Sequence, residues 1–539
     1  MEQKWNTKQQ LTDLLCSLVE YPSITGQRAE IAIVEYLQYL LSDRPYFMEN
    51  PDHLQLHPLK DGRQLFTALV KKSEAADTII LLSHIDVVGV EDYGVFQNLA
   101  FHPRELTQEL KKHTDELPED AARDLKDGNW LFGRGTMDMK AGLTVHLSML
   151  EQAMNGAFDG NILLLAVPDE EVNSLGMLTA LPVLDELKKV HGLEYKAAMN
   201  GEPMFSSYPG DPAYYYYTGS IGKVLPGFLC YGKETHVGEP FAGLNANMMN
   251  SYVAGELELN EAFIEVVGDE KTPPPVSLMQ RDLKEEYSVQ TPQSAVAMYN
   301  VLYMKQSIAE INDKLMHAAE KAKKHILDHY YAKAANYLTE DQLSNLSMDI
   351  QVMTYDELYQ EAVKRVGKGE VERRQNLLEA QREKGDRDFS TLLVQDLAGL
   401  CKDLSPMIIL FYSPPFYPAV SSNDDPYIQS IVERVREKSE DAYGMKLEKK
   451  EYFPGLSDLS FIGPVSSDSP LDDLLKHMPI QGRGFELPEN VMKAITMPII
   501  NLGPRGKDAH QWTERLELNY SFEFLPEILK DTLQEMFKG

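Results

Sequence analysis

The chain is 539 residues long, more than one hydrophobic core usually organises, so two or more domains are expected. Its 52 basic against 83 acidic residues leave a formal charge of −31, which argues against nucleic acid or anionic membrane surfaces as partners. Three widely separated cysteines, Cys16, Cys230 and Cys401, argue against a disulfide framework, and no apolar run approaches the roughly 20 residues that a spanning helix needs. With no basic segment leading into an apolar one at the start, a cytoplasmic location is expected.

Residues 8–20 carry Leu11, Leu14, Leu15 and Leu18 at helical spacing and stop before Tyr21-Pro22-Ser23. The pattern repeats over 27–42. Apolar strands follow at 77–83, running into His84, and at 161–167, running into Pro168, with a third at 197–200 before Gly201. Buried strands alternating with helices predict an α/β domain with a mostly parallel sheet, in which ligands gather at the carboxyl ends of the strands. Near 214–219 the character changes. A strand over 222–231 and a helix over 245–259 lead into a helix-rich, charged stretch at 305–402, whose mixed-sign runs read as solvated helix faces. A strand over 407–412 precedes Pro414-Pro415, and a helix over 427–443 marks a return to the first domain. The expected organisation is a catalytic domain in two parts, 1–215 and 420–539, with an inserted α+β lid over 216–419 enlarged by helices.

Five short segments carry the chemistry. His84 follows a strand and has Asp86 two residues on; imidazole is a common metal ligand whose second nitrogen wants an orienting partner. Asp138 sits in a loop punctuated by Gly133, Gly135 and Gly142. Glu170 and Glu171 follow the second strand, and burying both without a cation would cost several kcal/mol. Glu202 follows the third strand, and His510 lies in Asp508-Ala509-His510. Singly, each has an ordinary reading: a core histidine, a helix cap, a helix-start pair, a turn residue, a helix-start histidine. Together they offer two imidazoles and three carboxylates for two divalent cations, with Glu170 and Asp86 left over for proton transfer and orientation. Such a set suits zinc, cobalt or manganese, and spacing does not choose among them; zinc is the expected ion.

At Ser83–Val88, Gly133–Gly142 and Pro168–Glu171 the chain resembles the M20 metallopeptidase family of aminoacylases, carboxypeptidases, desuccinylases and acetylornithine deacetylases. The resemblance implies that His84, Asp138 and Glu202 hold one ion and Asp138, Glu171 and His510 the other. Asp138 would bridge across a cis Asp138–Met139 peptide, Glu170 would act as base, and Asp86 would partner His84. It further implies that His236, in the Gly232–His236 region with Asn245 following, stabilises an oxyanion on lid closure, and that Ser457 and Asp458 belong to a substrate-side loop. The stretch ending at Tyr303 carries tyrosine where relatives often have arginine, and the lid is unusually long. Both point to the arginine-utilisation branch of the family. The expected activity is hydrolysis of an amide bond in an N-acyl amino acid or short peptide. The alternatives are a non-catalytic amino-acid or peptide binder, and cleavage of a carbamoyl or amidino group. The resemblance implies a homodimer through the lid, which the 270–400 insert would equally block.

Overall fold

The apolar runs next to the candidate residues become the centre of one sheet in a computed structural model, which describes residues 3–72, 75–208, 210–466 and 471–538. Its strands are β1 (Leu54–Pro58), β2 (Gln64–Val70), β3 (Asp77–His84), β4 (Asn161–Val167), β5 (Glu194–Asn200), β6 (Tyr214–Tyr217), β7 (Leu447–Lys450) and β8 (Ile499–Asn501). They lie in the order β1-β2-β4-β3-β5-β8-β6-β7. The central run β4-β3-β5-β8 is parallel, while β1-β2, β2-β4 and β8-β6 are antiparallel. Every residue of β4 is buried, and β3 is buried after its first residue, as expected of strands covered on both faces. Because β3, β4 and β5 run the same way, His84, Pro168 and Gly201 emerge at a single edge.

The helix Lys140–Met154 is buried almost all round, and with Lys8–Val19 and Leu525–Met536 it contributes to the main apolar core beside Leu81, Leu164 and Met199. Helices over 8–19 and 29–42 match the periodicity of their segments. Strands β1, β2, β6, β7 and β8 are absent from the sequence reading. Several are short and carry a weak apolar signal: β7 reads Leu-Glu-Lys-Lys, and β1 alternates over only five residues, none of them fully buried. They become strands because a neighbour supplies the ladder.

The described chain divides into two units, one of Met1–Ile221, Tyr417–Val465 and Pro488–Gly539, the other of Gly222–Phe416 and Ser466–Leu487. The second holds a five-stranded sheet in the order Val276–Asp282, Ser294–Tyr303, Gly222–Tyr231, Met407–Tyr417, Gln351–Thr354. Met407–Tyr417 continues as strand through Pro414-Pro415, five residues beyond the expected end. Helices include the 28-residue Ile308–Ala335. The charge runs form exposed pairs such as Arg373–Glu370, which solvent screens. Among the described residues no helix is long and apolar enough to cross a membrane.

One buried ion network ties the β1–β2 turn to the segment after β4. Arg63 donates to both oxygens of Glu30 at 3.0 Å and to Asp169 at 2.8 Å, and Glu30 is fully buried. Replacing the arginine strands two carboxylates in the interior. Arg63→Met is therefore expected to lower stability by about 3–5 kcal/mol in urea unfolding; a change under about 1 kcal/mol would show that Glu30 and Asp169 are satisfied without it.

Candidate metal centre

His84 is the last residue of β3, Glu170 and Glu171 lie in the turn after β4, and Glu202 follows β5. Asp138 comes from the loop between the strand Trp130–Phe132 and the helix Lys140–Met154. His510 comes from the turn between Gly506–Lys507 and Arg515–Glu517. These segments, separated by hundreds of residues, meet at side-chain distance. His84 Nε2 lies 3.2 Å from Asp138 Oδ1 and 3.5 Å from Glu202 Oε1. His510 Nε2 lies 3.3 Å from Asp138 Oδ2 and 3.0 Å from Glu171 Oε1. The two oxygens of Asp138 thus face different imidazoles, each of which faces a second carboxylate. Donor atoms of His84, Asp138 and Glu171 fall within 4.8 Å of one another, close enough to converge on one cation.

Local structure holds each donor. The Nδ1 of His84 sits 3.0 Å from the main-chain oxygen of Asp86 and 3.5 Å from its carboxylate, so the closer orienting acceptor is the carbonyl rather than the expected side chain. That arrangement puts the proton on Nδ1 and leaves the Nε2 lone pair for the cluster. The Asp86 carboxylate instead accepts from Thr25 Oγ1 at 2.8 Å and from the N–H groups of Glu170 and Glu171 at 3.2 Å, fixing the base-bearing turn. Asp169 and His510 adopt positive φ, 74° and 64°, so the turns presenting Glu170 and His510 carry local strain that the surrounding contacts must offset. The Asp138–Met139 peptide is cis. Behind Glu202, a Cβ on Gly142 would stand 2.1 Å from the Gly201 oxygen, and one on Gly503 2.0 Å from the Glu202 oxygen. Helix and turn touch backbone to backbone there, which only glycine permits.

The electrostatics follow from burial. Glu170 and Glu202 are buried, and desolvation, reinforced by the neighbouring carboxylates, holds both well above the ordinary carboxylate range. Glu171 is raised for the same first reason. Burial would also raise Asp138, but hydrogen bonds from His510 and His84 outweigh it and lower this carboxyl. For His84, burial alone would lower the imidazole; Glu202, Asp138 and Asp86 reverse that and push it well up. His510 is pushed up to about 11 by its bonds to Asp138 and Glu171. Glu170, Glu171 and Glu202 are thus pushed toward their neutral forms and both imidazoles toward their cations, while Asp138 is held as the anion between them. Glu170 Oε1 is buried with no hydrogen-bond partner among the described residues, so it points at no protein donor. Two imidazoles with three carboxylates and no thiolate fit a pair of divalent cations.

Ser457 and Asp458 are also near. Asn200 Nδ2 donates to Ser457 Oγ at 2.8 Å, and Asp458 is close enough to raise Glu170 and Glu202. His236 and Asn245 belong to the second unit. His236 is exposed, its Nδ1 accepting from Gly238 N at 3.1 Å, and Asn245 caps the helix Ala246–Leu257. Sequence reasoning missed Thr25, Tyr417, Arg134 and Glu514. Tyr417 donates to the Glu170 carbonyl at 3.0 Å. The only available signal was that Arg134 lies inside Gly133–Gly142, already singled out, and that Glu514 follows His510 by four residues.

The first unit thus has an α/β architecture whose strand ends gather a cluster of imidazoles and carboxylates that fits divalent metal. Residues 110–468 match the model of Peptidase family M20/M25/M40, and the chain belongs to that family. It is 51% identical to the Bacillus subtilis (strain 168) protein YqjN, over 99% of this chain and 97% of that one. It is 32% identical to Protein RocB of the same organism, over 99% of this chain and 96% of RocB. A tripeptidase from Staphylococcus aureus shares the fold at TM-score 0.52 and 13% identity, covering 99% of this chain and 98% of that one. An M20 metallo-carboxypeptidase from Sulfolobus solfataricus does so at 0.52 and 11%, covering 98% and 99%. Family membership makes the chain a metallohydrolase.

Gly142→Ala tests the backbone packing behind Glu202. Overpacking of this kind costs about 1–3 kcal/mol. The variant is expected to melt earlier by thermal denaturation, whereas Gly399→Ala, where nothing lies within 4 Å, should not.

Proposed function

We propose that this protein hydrolyses the amide bond of an N-acyl amino acid or short peptide with two divalent ions, zinc first, and that its substrates belong to arginine metabolism. The observation that carries the reading is the placement of the two Asp138 oxygens against His84 and His510, with Glu202 and Glu171 completing each side. On this reading His84, Asp138 and Glu202 hold one ion, and Asp138, Glu171 and His510 the other. When bound, the pair makes water nucleophilic near neutral pH and polarises the scissile carbonyl.

Glu170 takes the proton from water through its unpartnered oxygen and returns it to the leaving amine. Its raised affinity for protons, caused by burial and neighbouring carboxylates, suits both halves of that transfer. Asp86 keeps His84 and the 170–171 turn in place. Ser457, Asp458 and Asn245 contact substrate, and His236 stabilises the developing oxyanion. The link to arginine metabolism rests on the family branch and on the match to RocB.

Metal analysis of the purified protein is expected to give two ions per chain, with activity lost to a chelator and restored by zinc, cobalt or manganese. A screen of N-acyl arginine, ornithine and citrulline derivatives with dipeptides would name the substrate. Glu170→Ala should lower kcat by about 10²- to 10⁴-fold at unchanged metal content. Full activity in that variant removes Glu170 from the role of base. A second reading, a binder without turnover, is favoured by the tyrosine-bearing strand ending at Tyr303. Tight ligand binding with no hydrolysis across the whole screen would select it.

A further inference from the structure

Glu514 touches none of the side chains assigned to the ions, yet it is fully buried beside them. Its Oε1 accepts the N–H groups of Met137 at 3.1 Å and Asp138 at 3.3 Å. Its Oε2 accepts Arg134 Nη1 at 2.7 Å, and its main-chain oxygen accepts Gly133 N at 3.0 Å. Arg134, itself only 1% exposed, continues to Gly89 O at 3.2 Å and Asp92 Oδ1 at 3.1 Å, and lies over the Tyr93 ring at 5.2 Å. Three loops, 89–93, 133–138 and 510–514, are therefore tied together through the Arg134–Glu514 pair.

The placement has a consequence for the centre. Glu514 is four residues after His510, in the same turn, and grips the peptide of Asp138 from behind. His510 and Asp138 are the two donors that meet at 3.3 Å on one side of the cluster. His510 is half exposed and has positive φ, so the conformation that presents it has to be held by contacts from the rest of its turn. A carboxylate is needed at 514 because each oxygen must accept: one faces two backbone N–H groups, the other a guanidinium. An amide there would turn an N–H toward a donor on one side or the other.

We propose that Glu514 is the positioning residue for the shared carboxylate, locking the Asp138 backbone to the His510 turn so that the Asp138–Glu171–His510 side binds its ion tightly. This rests on the two-ion reading above. The residue contacts neither ion and acts only through the backbone it holds.

The test is Co²⁺ titration of the full-length apoprotein, followed by the d–d absorption and by the magnetic coupling that a shared carboxylate transmits between paired ions. Wild type should take up two equivalents and show coupling. Glu514→Gln should keep the first equivalent near wild-type affinity, weaken the second at least tenfold and lose the coupling, with circular dichroism unchanged. The double variant Arg134→Gln/Glu514→Gln, which gives the second amide a matching acceptor, should recover a large part of the second-ion affinity. Two tight, coupled equivalents in Glu514→Gln would overturn the proposal and leave the two-ion reading standing. Equal weakening of both ions, or loss of folded circular dichroism without recovery in the double variant, would also overturn it, by making Glu514 merely structural. Fewer than two equivalents in wild type would overturn both.

Discussion

The constraint on which the rest depends is the mutual repulsion of buried carboxylates. Asp86, Asp138, Glu170, Glu171 and Glu202 occupy one small volume; Asp86, Glu170 and Glu202 are buried, and Asp138 and Glu171 are largely so. In a medium of low polarity such a cluster is untenable without positive charge at its centre. The fold answers in two layers. At the middle, His84 and His510 each stand between two carboxylates. Around it, Arg63 takes Glu30 and Asp169, Arg134 takes Glu514, and main-chain N–H groups take Asp86. The outer layer satisfies Glu30, Asp169, Glu514 and Asp86, whereas both oxygens of the buried Asp458 lack a hydrogen-bond partner among the described residues and add to the demand for positive charge at the centre.

The sheet makes the convergence geometric. Three parallel strands release their next residues at one edge, and each next segment carries part of the site. The two donors from elsewhere are brought in by a small antiparallel sheet in which Arg515–Glu517 pairs with both Gly506–Lys507 and Trp130–Phe132. That pairing brings the Asp138 loop and the His510 turn together across more than 370 residues of chain. Arg515, with no exposed surface, pins the same region by binding Asp120, Asp124 and Asp508. Rigidity of the centre is thus a property of the sheet and of buried arginines, and the loops inherit it.

Much of this was legible in the chain itself. Apolar runs such as 161–167 bury on both faces wherever they are placed, so their strand character is decided locally, and the residue following each is set at the sheet edge by the same rule. The five acidic and histidine segments could therefore be nominated, and the domain class with them. The edge strands could not, since β7 carries three charged residues in four and is a strand only because Tyr214–Tyr217 pairs with it.

What the sequence determined alone was the inventory: two imidazoles, the acids, the glycines that let backbones touch, and the strands that carry them. What only the tertiary structure decided was the pairing: which oxygen of Asp138 meets which histidine, that the closest acceptor for His84 is a carbonyl and not a carboxylate, and that Glu514 holds a peptide rather than facing water. Residue types and local periodicity are properties of neighbours along the chain. Hydrogen-bond partners hundreds of residues apart are selected by packing, and burial then sets their charge.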